Sequence, residues 1–211
     1  MKFTLTQVDK INLFLCVFVT MLVGMNLLGT KVVTIFGIST SVAIFMYPIS
    51  FLITDVIEEV FGPKLARQFV AVGIFAIVLT MIFATIFVAL PPAERYTSND
   101  AYTTVFTQSL RIGIASVVAF IIAQFHDVWA FNFWKGKTNG RFLWLRNNAS
   151  TMVSQAIDTL LFMFIAFYQV APKFTVGFIL TIALPYYLLK IAMAALDTPF
   201  VYLGARWLKK K

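Results

Sequence analysis

Long stretches without charge are the feature that most constrains how this chain folds. The most uniformly apolar, Phe69–Leu90, has 22 residues and contains no Asp, Glu, Lys or Arg, and about 20 apolar residues are enough for a helix to cross the hydrocarbon core of a bilayer. Hydrophobic residues make up 60% of the 211 residues and charged residues only 12%, so too few polar side chains are present to cover a globule in water. The sequence therefore predicts a membrane protein and excludes a soluble enzyme, a disordered segment and a coiled coil.

Six apolar windows predict about six transmembrane helices, in an all-α polytopic membrane helical bundle that forms one domain over residues 1–211. The windows are Ile11–Gly29, Ser41–Ile57, Phe69–Leu90, Ile112–Phe131, Thr151–Val170 and Phe174–Leu208. The last window is too long for one straight span and contains two prolines, so we expect a short interfacial or kinked start and then a span that ends near Trp207. No small-residue cleavage site follows the first window, so we expect it to remain as the first span rather than to be removed as a signal peptide.

Basic residues are concentrated in alternate loops, which predicts the orientation. With both termini in the cytoplasm, 12 of the 17 basic residues lie inside and four lie outside, with Lys190 in the last span. The inner twelve are Lys2, Lys10, Lys64, Arg67, Lys135, Lys137, Arg141, Arg146, Arg206, Lys209, Lys210 and Lys211, and the outer four are Lys31, Arg95, Arg111 and Lys173. An excess of Lys and Arg marks cytoplasmic loops. This distribution explains most of the net charge of +8 without a nucleic-acid partner, and the lipid bilayer is the expected surroundings.

The residue types that build most metal and catalytic sites are scarce. The chain has one cysteine, Cys16, and one histidine, His126, which leaves no intramolecular disulfide, no cysteine-type metal site and no polyhistidine site. A Gly-rich phosphate loop of the Walker type is absent from the sequence. We therefore expect no catalytic residues, no metal and no cofactor.

Ionisable residues inside the predicted spans point to a polar cavity. Each Asp, Lys or Arg at the centre of a transmembrane helix costs about 2.5–3.5 kcal/mol, and such residues persist mainly where they pair or line a cavity. The fifth span carries Gln155 and Asp158, three residues apart, on a stripe that either lines a cavity or holds helices together. In the last span Lys190 and Asp197 are seven residues apart and face the same side. Lys190 and Asp197 either form structural ion pairs with partners such as Asp158 or Asp55, or contact the substrate.

Most of the other polar and aromatic candidates have two interpretations. Asp55, Glu58 and Glu59 share a helix face, either as part of a substrate site or as an acidic turn that pairs with Lys64 and Arg67. Asp127 either lines the site or pairs with Arg141 or Arg146. Trp129 is either a membrane-interface residue or a stacking platform, and Asn26 contributes from the outer side.

The chemistry of these side chains favours a planar, nitrogen-rich solute. A carboxylate accepts hydrogen bonds from two adjacent N–H groups, an amide matches a carbonyl or ring nitrogen, and aromatic rings sandwich a flat ligand. Purine-like bases fit this description. Substrates that carry a carboxylate fit less well, because buried acids outnumber buried bases.

Five short motifs, in a fixed order between about Asn26 and Tyr202, carry a family resemblance. They are Phe51-x-x-Thr54-Asp55-x-x-x-Glu59-x-Phe61-Gly62-x-Lys64-x-Ala66-Arg67, then Asp127-Val-Trp-Ala-Phe131, Leu143-Trp144-Leu-Arg146-Asn147-Asn148-x-Ser150-Thr151, Ser154-Gln155-x-x-Asp158-Thr159 and Leu196-Asp197-Thr198-Pro199-x-x-Tyr202. Together they resemble the queuosine precursor transporter family, also called the vitamin uptake transporter family.

The resemblance implies a six-helix importer in the bacterial inner membrane, specific for 7-deazaguanine precursors of queuosine in cyano or aminomethyl form. It also implies a likeness to the substrate-binding subunits of energy-coupling-factor vitamin transporters, but without their ATPase module. The family's functional residues fall on Asp55, Glu58, Asp127, Arg146, Asn147, Asn148, Gln155, Asp158, Lys190 and Asp197. Position 58 is next to the family's usual acidic position at 59, so either glutamate is a candidate.

The sequence therefore predicts a stand-alone secondary transporter or facilitator without catalytic chemistry. The predicted substrate-binding residues are Asn26, Asp55, Glu58, Glu59, Asp127, Trp129, Arg146, Asn148, Gln155, Asp158, Lys190 and Asp197, with Asp158 and Gln155 on the edge of the base and Asp55 or Glu58 opposite. The alternatives are a substrate-binding subunit of an ATP-driven vitamin uptake complex, an intramembrane enzyme and a purely structural bundle. We expect no ATPase partner, and a homodimer is the default for a small bundle.

Overall fold

Seven α-helices and a short β-hairpin make up the part of the chain that the computed structural model describes, residues 5–35, 37–107, 109–169, 172 and 174–209. The elements are α1 (Gln7–Leu28), β1 (Val32–Ile35), β2 (Ile38–Ser41), a 3₁₀ turn (Val42–Phe45), α2 (Tyr47–Phe61), α3 (Pro63–Ala89), α4 (Asn99–Thr107), α5 (Ser109–Lys137), α6 (Leu143–Phe167) and α7 (Val176–Lys209). The all-α prediction is confirmed, and the hairpin is its one departure among these elements. Lys2, Lys173, Lys210 and Lys211, together with the side chain of Arg111, lie outside the described residues.

Five of the described helices are long and apolar enough to cross a membrane. They are α1, α3, α5, α6 and α7, with α5 counted from Gly113 to Lys137. The outer face of α3 exposes large apolar side chains, among them Phe75, Ile82 and Phe87, and a surface of this kind is stable in lipid rather than in water. The chain is therefore a multi-pass membrane protein.

The second predicted span differs from a simple membrane helix. Its window was expected to be helical from Ser41, but β1 and β2 pair antiparallel there, with Val32 opposite Ser41, and α2 begins only at Tyr47. Fifteen helical residues are about 22 Å long, which is shorter than the hydrocarbon core of about 30 Å. The preceding 3₁₀ turn extends this segment, so that the turn and α2 together return the chain across the bundle.

The last predicted span is one continuous helix. We expected an interfacial or kinked start, but α7 runs unbroken through Val176–Lys209, with Pro185 and Pro199 inside it. At 1.5 Å per residue, 34 residues are about 51 Å long, so α7 extends beyond the hydrocarbon core. Its length places the Lys190 region inside the bundle and Lys209 at one end.

One end of the bundle is basic, and we call it the basic end. Lys10, at the start of α1, donates a hydrogen bond to the carbonyl of Trp207 near the end of α7, and Lys135 and Lys209 both contact Glu59 at the end of α2. The helices α1, α3 and α6 therefore begin at this end and α2, α5 and α7 finish there. Six traverses result, with both ends of the described chain on the basic side.

A tight junction joins α2 to α3 and sets the angle of α2 in the bundle. Gly62 lies between the two helices with φ +86°, a conformation that costs a residue with a β-carbon free energy. Pro63 occupies the first turn of α3, where its missing N–H leaves no hydrogen bond unmade. One residue therefore reverses the chain at the basic end.

Close packing between α1 and α3 leaves no room for a side chain at Gly73. A β-carbon there would lie 2.8 Å from Cε1 of Phe18 and would also meet Leu22, two side chains that belong to the buried apolar core. Phe18 also packs against Phe69, with ring centroids 6.1 Å apart. Residues further along α1 contact residues further along α3, so the two helices run parallel.

Replacement of Gly73 by alanine is expected to lower the free energy of unfolding by about 1–3 kcal/mol, because an added methyl group overpacks this contact. Gly136→Ala in α5 is the matched control, since a β-carbon there meets no atom within 4 Å; it is expected to be neutral or to stabilise the helix by up to about 1 kcal/mol. Thermal unfolding of both purified variants in detergent measures the difference. Equal melting temperatures for the two variants would contradict the packing described here.

Candidate functional site

One face of α6 is polar and entirely buried. Asn147, Thr151 and Gln155 follow each other at intervals of four residues, so they lie on one side of the helix. Each is at most 3% exposed, as is Asp158 one turn further on. Because α6 packs against α5 and α7, this polar stripe faces the interior of the bundle rather than lipid.

A narrow cleft lies between α2, α6 and α7, and we call it the central cleft. It brings together residues from three distant parts of the sequence. Its lining consists of Tyr47, Pro48, Phe51, Leu52, Asp55, Asn147, Thr151, Gln155, Lys190 and Asp197. Four of the predicted site residues, Asp55, Gln155, Lys190 and Asp197, therefore lie together, and the prediction that Lys190 and Asp197 face the same side is confirmed.

Several oxygen atoms in the central cleft have no hydrogen-bond partner in the protein. They are Oδ1 of Asn147, Oγ1 of Thr151, Oε1 of Gln155 and Oδ2 of Asp197, and all four are buried. A buried polar atom without a partner costs about 1–3 kcal/mol. Three of these atoms are acceptors and the Thr151 hydroxyl both donates and accepts, so the cleft is complementary to a ligand that supplies several N–H or O–H donors.

A buried ion pair forms the end of the cleft farthest from the basic end. Nζ of Lys190 lies 2.6 Å from Oδ2 of Asp158, and both side chains are at most 2% exposed. The same ammonium lies 4.0 Å from the ring centroid of Tyr47 and 4.9 Å from that of Tyr186, which are favourable cation–π distances. Of the two partners considered for Lys190, Asp158 is therefore the one that it contacts.

Three buried carboxyl groups are gathered beside the cleft. Asp55 on α2 interacts with Asp127 on α5 and lies near Glu58 and Asp197. Asp55, Glu58 and Asp127 are all nearly or fully buried. Two carboxylates this close repel strongly unless they share a proton.

An ion-pair network closes the basic end. Arg146 on α6 lies 3.0 Å from a carboxylate oxygen of Glu59, and Lys135 on α5 lies 3.2 Å from the same oxygen. Lys209 on α7 approaches the other oxygen at 3.7 Å. One carboxylate on α2 is therefore shared by three helices.

This network corrects two of the interpretations offered above. We considered a pairing of Glu59 with Lys64 and Arg67, but its partners lie on α5, α6 and α7. We also considered a pairing of Asp127 with Arg146, which is engaged by Glu59 instead. Pairs between distant helices leave no spacing signal in a single sequence, whereas Lys64 is only five residues from Glu59.

Eight of the twelve predicted site residues do not line the central cleft, and three of these have contacts that separate them from it altogether. Trp129 is 55% exposed on the surface of α5 and stacks on Phe133. Asn148 donates hydrogen bonds to the carbonyl of Trp144 and to Thr198, and so joins α6 to α7. Asn26 donates to the carbonyl of Leu22 and lines a different cavity, at the opposite end of the bundle.

The aromatic wall of the cleft was not predicted from the sequence. Tyr47 and Phe51 stand eight and four residues before Asp55, so all three lie along one face of α2. The spacing of four residues indicates a shared helix face. A span that starts at Ser41 does not show which face of α2 is buried, so the sequence analysis did not include these two rings in the site.

A metal site is not evident within the described ranges. In that part of the chain no three His, Cys, Asp or Glu side chains are grouped as metal ligands. The single histidine instead contacts Ser154 through Nδ1, at 2.9 Å. The arrangement of side chains is suited to bind a polar solute.

Comparisons with known proteins agree with this picture. Residues 41–204 match the family described as "Putative vitamin uptake transporter". The chain is 36% identical over 179 residues to a protein of Bacillus subtilis (strain 168) named "Probable queuosine precursor transporter", a match that covers 84% of this chain and 76% of the relative. It is 31% identical over 194 residues to the "Queuosine precursor transporter" of Escherichia coli (strain K12), which covers 91% and 85% of the two chains. No solved structure matches significantly.

Lys190→Ala is expected to destabilise the protein by about 3–5 kcal/mol, because the change leaves Asp158 buried without its cation. The double variant Lys190→Met/Asp158→Leu removes both charges and is expected to recover most of that loss, since a buried pair contributes little beyond its own desolvation cost. Thermal unfolding of the two variants and the wild type makes the comparison. A double variant no more stable than Lys190→Ala would show that the ion pair is not the reason for the loss.

Proposed function

We propose that this chain, which belongs to the queuosine precursor transporter family, imports a 7-deazaguanine precursor of queuosine across the bacterial inner membrane. The chain is a transporter rather than an enzyme, as its family and its membrane-spanning helices agree. The basic end faces the cytoplasm in this proposal, because Lys and Arg accumulate in cytoplasmic loops. The single observation that carries the choice of substrate is the set of unpartnered acceptor atoms in the central cleft.

A 7-deazaguanine base matches these acceptors. It carries ring N–H groups and an exocyclic amine along its edges, and a carboxylate accepts two adjacent N–H donors at once. Asp55, Gln155 and Asp197 offer oxygens from three helices, and the rings of Tyr47 and Phe51 lie in the same wall, where they can stack on a flat ligand. These five residues are the proposed recognition set.

Asp158 has a supporting role in this proposal. From the sequence we expected Asp158 and Gln155 to bind the edge of the base together, but Oδ2 of Asp158 accepts from Lys190 at 2.6 Å. Lys190 lines the central cleft and Asp158 holds it in place. We therefore assign the base edge to Gln155 with Asp55 and Asp197, and the positioning of Lys190 to Asp158.

The chain works without an ATPase partner in this proposal. The substrate-binding subunits of ATP-driven vitamin transporters carry small alanine residues on their first helix as a coupling surface, and α1 contains no alanine. Uptake is then driven by an ion or substrate gradient across the membrane, or the imported base is trapped inside the cell by its later modification. The contact between Asp55 and Asp127 favours a proton as the coupling ion. The homodimer stays a prediction.

Binding is expected to raise the melting temperature of the purified protein, because a ligand that binds only the folded state stabilises it by mass action. The panel consists of 7-cyano- and 7-aminomethyl-7-deazaguanine, guanine and common vitamins. Gln155→Met is expected to weaken binding of the deazaguanine by roughly 5- to 150-fold, from the loss of about 1–3 kcal/mol for one buried hydrogen bond.

Asn148→Ala is the matched control for that variant. It removes an amide from the same helix, but one that joins α6 to α7 outside the cleft, so affinity should stay unchanged even where stability falls. A shift with an unrelated vitamin alone would overturn the substrate while retaining the importer. Equal loss of affinity in both variants would overturn the proposed position of the site.

Uptake by purified protein in liposomes is expected to proceed with no ATP and no second protein. An inwardly directed proton gradient should increase the initial rate, and a protonophore should abolish that increase. Asp127→Asn should remove the response to the gradient, because it removes one carboxyl of the pair, while the binding measured by thermal shift remains. Uptake that requires an added ATPase would favour the ATP-driven alternative, and a rate that ignores the gradient would exclude proton coupling.

A further inference from the structure

A second cavity, larger than the central cleft, lies on the far side of the buried ion pair from the basic end, and we call it the outer cavity. It is bordered by the end of α1, the hairpin and the helices α2, α5, α6 and α7. Neither the family resemblance nor the predicted site residues, apart from Asn26, pointed to this part of the molecule.

The lining of the outer cavity is mostly apolar, with a few hydroxyl and amide groups and no formal charge. Thr30, Thr40 and Ser116 contribute hydroxyl groups, which both donate and accept hydrogen bonds. Asn26 and Ser41 lie in the same wall, where each already donates one hydrogen bond to a backbone carbonyl. Phe162 adds an aromatic ring to the same wall. This chemistry suits a neutral, flat heterocycle with donors and acceptors on its edges, and it contrasts with the carboxylates of the central cleft.

One layer of side chains separates the two cavities. Tyr47 lines both of them, and Tyr186 lines the outer one. The ammonium of Lys190 lies against both rings, 4.0 Å and 4.9 Å from their centroids, and is held by Asp158. Because Lys190 also lines the central cleft, a solute that passes from one cavity to the other must displace this Tyr47–Lys190–Tyr186 layer.

We propose that the outer cavity is a first binding site for the flat, neutral heterocycle that the protein transports, and that the Tyr47–Lys190–Tyr186 layer is the gate between this site and the central cleft. The identity of the ligand rests on the proposed function, whereas the existence of the gate does not. The substrate meets hydroxyl and amide groups first and reaches the carboxylates only after the layer opens. Two sites of different chemistry thus lie in series along one path.

Thiol labelling of single-cysteine variants tests both parts of the proposal. The one native cysteine, Cys16, lies on the exposed face of α1 and is replaced by serine. Met163→Cys then places a thiol in the outer cavity, and Thr151→Cys places one in the central cleft. The purified proteins are treated with a bulky, water-soluble thiol reagent, and the rate of modification is followed by mass spectrometry.

The thiol in the central cleft is expected to react roughly tenfold or more slowly than the thiol in the outer cavity, because the layer must open locally before the reagent reaches it. Tyr47→Ala should bring the two rates together, since it removes one ring of the layer. Tyr47→Phe, which keeps the ring, should leave them apart. Equal rates with Tyr47 intact would overturn the gate.

Protection by ligand tests the outer site separately. 7-Cyano-7-deazaguanine should slow the labelling of Met163→Cys, and it should still do so in a Gln155→Met background, where binding in the central cleft is weakened. A ligand that raises the melting temperature but leaves the labelling of Met163→Cys unchanged would overturn the outer site. If no deazaguanine raises the melting temperature or protects, the proposed function and the outer site both fail, and the difference in labelling rates still decides the gate.

Discussion

The cost of burying charge in a bilayer governs the interior of this protein, and the ion pair between Lys190 and Asp158 is where that constraint is most direct. A single ammonium or carboxylate inside the hydrocarbon region is strongly unfavourable, and it persists when a partner compensates it. Here the pair joins α6 to α7, and two tyrosine rings from α2 and α7 surround the cation. The same side chains divide the interior into a charged central cleft and an uncharged outer cavity.

The acids in the bundle are divided between those with basic partners and those with other acids for neighbours. Glu59 forms ion pairs with Arg146 and Lys135 at the basic end, and Asp158 forms an ion pair with Lys190 in the interior. Asp55 and Asp127 instead face each other. The paired acids hold helices together, while Asp55, which lines the central cleft, is available for a ligand or a proton. The balance of charge therefore separates structural residues from those that can act in transport.

Much of the fold and part of the site were predictable from the sequence. Apolar windows located the long helices because the thickness of the bilayer sets a minimum length for a span. The spacing of Gln155 and Asp158 placed both on the polar face of α6, and Asp158 was one of the two partners considered for Lys190. The hairpin and the late start of α2 were missed, since a short apolar segment has the same composition in a strand, a 3₁₀ turn or a helix.

The sequence by itself determined that the chain lies in a membrane, where its long apolar helices are and which side chains are too polar to face lipid. These properties depend on composition and on spacing along one helix. Only the tertiary structure decided the partners: that Arg146 pairs with Glu59 rather than with Asp127, that Trp129 lies on the outer surface and that Tyr47 and Phe51 line the cleft. The physical reason is that a contact between helices depends on how each helix is rotated and how deeply it lies, and the packing of the whole bundle sets both.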